Sequence, residues 1–219
     1  QLPPSLQFEL AKSRIQARYQ GSPQNNIDFF KQQLTKKKYK LQAAAKYGLA
    51  ISYFENKQYQ LAKELLEPLK SQDKHNLFYI DVLTDVYLAL KAYDAALTML
   101  TDLALYMPNN QVISLNYGNA LLSAGEYEQA EVVLQDFLLV NPGNFIAYDL
   151  LTSVYRKQKK LALMHTTKAE VLALVGAYNK AVDELQTSYS LVEEQPLLQK
   201  RIKARILQLQ EQENKLKRL

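Results

Sequence analysis

The side chains that most often carry out catalysis are scarce in this chain. Histidine occurs twice, as His75 and His165, and neither stands in an HExxH or HxH arrangement that would turn two imidazoles toward one metal ion. Cysteine is absent, so no thiolate ligand or disulfide is available, a usage that fits either cytosol or periplasm. No P-loop, GxGxxG or GxSxG motif is present. Carboxylate pairs such as Glu193 and Glu194 fall at an expected helix end, where water solvates both. His75 lies in an expected loop and His165 one turn into an expected helix, and each is assigned a structural role. With no convergent acid, base and nucleophile, the chain is expected not to be an enzyme. What its polar and aromatic residues can do together is recognise another molecule.

The elements that position those residues follow from a period. Tyr59, Tyr93 and Tyr127 are 34 residues apart, as are Ala62, Ala96 and Ala130, then Leu66, Leu100 and Leu134, then Leu69, Leu103 and Phe137. An upstream column runs Ile15, Leu49, Leu83, Tyr117 and Leu151, and four residues later a second runs Tyr19, Tyr53, Tyr87, Leu121 and Tyr155. Six columns in one register define an internal repeat, and a period of 34 is that of the tetratricopeptide helix–turn–helix unit. Within each copy apolar residues recur at three and four, the helical spacing. Gly125 can take the left-handed conformation that ends a helix, and Pro142 stops the next one. The column alanine leaves room where two helices cross, and the tyrosine beside it fills the wedge.

The predicted fold is therefore all-α, a tetratricopeptide-repeat α-solenoid of about twelve helices spanning 1–219 as a single domain. Helix pairs are expected at 4–37, 41–71, 76–106, 111–140 and 145–175, followed by a half-repeat at 178–191 and a capping helix at 197–217. Pro68 is expected to kink the fourth helix or end it early. In "GAYNKA", Tyr178 and Ala181 take the wedge roles one and a half periods after Tyr127, so helix 161–175 should serve two pairs. Ile202, Ile206, Leu209 and Leu216 supply the apolar face of the cap.

A repeat stack presents a concave face lined by the first helix of each pair. Taking the sides turned away from the wedge, the lining is expected to comprise Tyr47, Ile51, Phe54, Phe78, Asp81, Asp85, Leu88, Leu115, Asn119, Leu122, Asp149, Ser153 and Arg156. Such grooves clamp a partner's terminal carboxylate with Lys, Arg and Asn, whereas two central positions here are Asp81 and Asp85, which disfavours that clamp. The competing assignment is that several of the aromatics pack on neighbouring helices, which are buried on two sides.

The net charge of +5 is concentrated at one end, where residues 200–219 hold seven basic residues against Glu211 and Glu213. A smaller basic cluster is formed by Lys36, Lys37, Lys38 and Lys40. The tail charges fit the solvent face of a capping helix, or docking to anionic lipid or an acidic partner, so membrane contact is peripheral at most. No aromatic residue follows Tyr189, which argues against nucleic acid. A first residue of Gln with no signal-like segment leads to the expectation of a processed chain or a fragment.

Four stretches carry a more specific likeness: "PPSLQFELAKSRIQARY" (3–19), "AAKYGLAISYFENKQYQLAKELLEPL" (44–69), "TKAEVLALVGAYNKAVDEL" (167–185) and "RIKARILQLQ" (201–210). Together they resemble the C-terminal tetratricopeptide region of the β-barrel assembly-enhancing proteases, periplasmic zinc metalloproteases of Gram-negative bacteria. The resemblance implies a periplasmic, non-catalytic protein-interaction module. Its implied partners are the outer-membrane β-barrel assembly machinery, misassembled outer-membrane proteins and its own protease domain. Zinc belongs to that protease domain, which this chain does not contain; no cofactor is expected here and no catalytic residue carries over. The competing reading is a generic cytosolic tetratricopeptide scaffold or co-chaperone.

Overall fold

The computed structural model describes residues 5–217, and the expected helix start at residue 4 lies outside the described residues. Twelve helices are found among them, and their ends fall within two residues of the expected positions. The chain divides into two compact units at Tyr106 and Met107. The first unit holds α1 (Leu6–Tyr19), α2 (Pro23–Thr35), α3 (Gln42–Glu55), α4 (Tyr59–Gln72), α5 (Leu77–Ala89) and α6 (Tyr93–Tyr106). The second holds α7 (Gln111–Ala124), α8 (Tyr127–Val140), α9 (Phe145–Lys157), α10 (Leu161–Leu174), α11 (Tyr178–Ser190) and α12 (Pro196–Leu216).

The repeat columns become packing columns. Ala62, Ala96, Ala130 and Ala181 are all fully buried, as are Leu66, Leu100 and Leu134. A further column sits at the N-caps, where the side chains of Asn76, Asn110 and Asn144 accept hydrogen bonds from the amides of Phe78, Ile113 and Ala147. These caps satisfy donors that the helix start leaves unpaired. The first helices end on another column, with Lys57, Lys91, Gly125 and Lys159 at φ of 60°, 56°, 89° and 60°. Only one of the four is the glycine that this left-handed turn favours.

Two members of the tyrosine column tie a first helix to the second helix before it, α5 to α4 and α9 to α8. In the first unit Tyr87 Oη donates to Glu67 Oε1 at 2.9 Å, and in the second Gln135 Nε2 donates to Tyr155 Oη at 2.7 Å. Packing of α3 on its neighbours uses a glycine: a Cβ on Gly48 would enter the ring of Phe30 on α2.

Three expectations are corrected. Pro68 does not end α4 early, since the helix continues to Gln72. Leu66 and Leu69 are buried on either side of it, while the proline itself faces solvent, where water can satisfy the carbonyl it leaves free. The first copy does not fill its columns either, since Ile15 is 51% exposed and Tyr19 77%, against 9% or less for Tyr53 and Tyr87. The later column tyrosines pack on the second helix of the preceding pair, and among the described residues no helix precedes α1. Leu216 is exposed rather than part of the cap.

At the other end α10 packs on both α9 and α11, giving the double use that the half-repeat requires. Ala169, Ala181, Val182, Leu185, Val192, Ile202 and Leu209 form one buried cluster beneath α12. Arg205 of α12 reaches Glu170 of α10 through Nε at 2.9 Å and Nη2 at 2.6 Å, a two-pronged pair. Much of the remaining basic charge of the tail is solvated: Lys200, Arg201 and Lys203 are exposed, and Lys215 and Lys217 pair with Glu211 and Glu213 along the helix.

Candidate interaction surfaces

In the first unit the expected lining separates into three groups. Tyr47 and Ile51 are fully buried in α3 and belong to the core, not to an open face. The Tyr47 ring packs edge-on against Phe78 and Tyr79, at centroid distances of 6.0 and 5.7 Å. Phe54, Phe78 and Leu88 are half-buried.

Asp81 and Asp85 are half-buried as well, but α1 faces them with two arginines. Arg14 Nη2 donates to Asp81 Oδ2 at 2.8 Å, and Arg14 Nε donates to Tyr47 Oη at 2.9 Å. Arg18 Nη2 lies 3.4 Å from Asp85 Oδ2, and Arg18 Nε lies 3.4 Å from Glu55 Oε1. The guanidinium of Arg14 also stands 5.0 Å from the centre of the Phe78 ring. The spacing of four on each helix lets one arginine pair meet one aspartate pair. Sequence reasoning assigned the aspartates to an open acidic groove because it could not show what α1 brings against them; the matching 14/18 and 81/85 intervals were the available signal.

Charge and burial are balanced unevenly in this patch. Burial, and then the neighbouring Asp81 carboxylate, push the Asp85 acid up to about 6, with Arg18 and Arg14 pulling the other way. Burial also pushes the Tyr47 phenol well above its usual value, against the pull of Arg14.

In the second unit six expected residues share the faces of two helices that pack on each other, α7 and α9. Leu115, Asn119, Leu122 and Ser153 are half-buried, and Asp149 and Arg156 are exposed. The spacing of 115, 119 and 122, and of 149, 153 and 156, puts each set on one side of its helix. The result places Leu115 and Leu122 among the polar Asn119 and Ser153, with an acid and a base at the exposed positions.

The two histidines stand in different settings, His165 in an ion-pair cluster and His75 in an aromatic stack. His165 Nδ1 lies 2.6 Å from Glu184 Oε2, and Lys168 Nζ lies 2.5 Å from the other oxygen of the same carboxylate. Burial would raise the Glu184 acid, but the bonds from Lys168 and His165 outweigh it and hold it below the ordinary range. This cluster ties α10 to α11. His75 stacks on Tyr106, with ring centroids 4.1 Å apart. Among the described residues, no group of three or more His, Cys, Asp or Glu side chains could hold a metal ion. Among the same residues no helix is long and apolar enough to cross a membrane.

Helix pairs, capped at a fixed interval and wedged by buried alanines, define a tetratricopeptide-repeat α-solenoid. A tetratricopeptide-repeat family model matches residues 87–154. A solved tetratricopeptide repeat protein from Parabacteroides merdae has the same fold, with a TM-score of 0.59 at 14% identity over 90% of this chain and 82% of that one. A MamA RS-1 double mutant gives 0.58 at 18% identity over 78% and 94%.

Sequence relatives are more specific. The chain is 29% identical to the beta-barrel assembly-enhancing protease of Escherichia coli over 97% of its length, and 30% identical to that of Yersinia pestis over 94%. Its Vibrio cholerae counterpart is 33% identical over 95%. The chain spans less than half of these relatives, 44%, 42% and 43% respectively. It is thus homologous to the beta-barrel assembly-enhancing proteases over a tetratricopeptide-containing stretch.

Proposed function

We propose that this chain is the non-catalytic protein-interaction module of a periplasmic metalloprotease, and that it brings outer-membrane proteins under assembly, together with their assembly machinery, to that protease. The observation that carries the reading is the pairing of a tetratricopeptide solenoid with relatives whose name joins barrel assembly to proteolysis. The zinc of the reaction resides in the protease domain, outside this chain, and the exposed face of α7 and α9 supplies binding. The module acts in quality control, by recruiting substrates.

Crosslinking of the full chain in a Gram-negative envelope extract is expected to recover components of the barrel-assembly machinery. Changing the exposed pair, Asp149→Lys with Arg156→Glu, is expected to lower that recovery several-fold while leaving the helical circular dichroism unchanged. Recovery of cytosolic chaperones alone would support the scaffold reading and defeat this one.

A further inference from the structure

Because α1 leans on α3 and leaves α2, the first helix pair is open, and the gap is a cleft of about 190 Å³. The cleft lies between α1, α2, the turn joining α2 to α3 and the first turn of α3. Phe29 and Phe30 of α2 line its apolar side, Phe29 being 40% exposed. Lys12 of α1 and Lys38 and Lys40 of the turn also line it. Glu9 is the one acid among the lining residues; it is 8% exposed and lies 3.5 Å from Lys40 Nζ. Among the described residues Lys12 and Lys38 have no ion-pair partner.

Three ammonium groups around one carboxylate leave the cleft with an excess of positive charge beside an aromatic wall. A ligand that completes it must bring a negative charge and an apolar group a few atoms apart. A peptide that ends in an apolar residue has both on its last residue. An interior acidic residue has the charge, but its apolar neighbour sits on a different residue and its chain must continue past the cleft at both ends. We propose that the α1–α2 cleft binds the free carboxyl terminus of a peptide whose last side chain is apolar. Lys12 and Lys38 take the carboxylate, and Phe29 and Phe30 take the side chain. The inference deepens the protein-interaction reading above and rests on it, but it uses a different surface.

Fluorescence anisotropy of a dye-labelled peptide against the full chain tests it. A peptide ending in phenylalanine with a free carboxylate is expected to bind at least about tenfold more tightly than the same peptide amidated. Lys12→Gln with Lys38→Gln changes two exposed side chains and is expected to erase that difference. Glu9→Gln removes the competing carboxylate from Lys40 and is expected to tighten binding, an effect opposite in sign to mere damage. Equal affinity for acid and amide, indifference to the lysine changes, or no binding up to about 1 mM peptide would overturn the proposal. So would equal binding of an amidated peptide with an interior glutamate. If the peptide arm fails while assembly components are still recovered through α7 and α9, the cleft alone is lost. The reverse result removes the recruitment role and leaves the cleft.

Discussion

At Asp85 two carboxylates and two guanidiniums share one patch, and the acid is pushed up from 3.8 to about 6 by burial and Asp81. A group whose folded pKa is raised binds its proton more tightly in the native state, so its contribution is present below 3.8 and is lost as pH rises through about 6. Between about pH 7 and pH 5 this group therefore stabilises the fold as the solution is acidified. Asp85 keeps 34% of its side-chain surface, so solvent screens the effect. The measurement is the melting temperature of wild type and Asp85→Asn across that range. The wild type is expected to gain more on acidification than the variant, and parallel curves would refute the assignment. Glu131 and Glu184 are held below the ordinary carboxylate range and so stay ionised throughout. At the alanine columns, Ala62→Leu and Ala130→Leu place volume where nothing is exposed, and each is expected to cost about 1–3 kcal/mol in urea unfolding.

The helices as elements were legible in the sequence wherever a column had a local cause. Buried alanines and the Gly125 turn set the ends of α4, α7 and α8 to within a residue or two. Pro68 misled because its effect depends on which way the ring faces, which the chain order does not state. Ile15 and Tyr19 kept the spacing of their columns but lost the burial, since no described helix precedes α1 to cover them. Of the candidate lining, helical spacing put three residues on one side of α7 and three on one side of α9, yet it could not tell that Tyr47 and Ile51 are closed in or that Arg14 and Arg18 meet the aspartates. At this scale Gly48→Ala should force α2 away from α3, because the new methyl meets the Phe30 ring, and a loss of about 1–3 kcal/mol is expected. Leu209→Ala removes a fully buried anchor of α12 and should cost about 2–5 kcal/mol. Chemical unfolding followed by circular dichroism measures both.

For the molecule as a whole, repeat arrays draw their stability from each unit and its nearest neighbours. Damage in the first unit should then stay local. Hydrogen exchange on Gly48→Ala is expected to show lost protection in α2 and α3 with α10, α11 and α12 unchanged, and a uniform loss would mean a single cooperative block. The left-handed turns carry a further consequence. Three of the four column positions are lysines held at positive φ, where a Cβ is disfavoured. Glycine at Lys57, Lys91 or Lys159 should relieve that strain by about 0.5–1 kcal/mol each, since the native angle already suits it. Robustness in this protein can therefore be tuned one bend at a time.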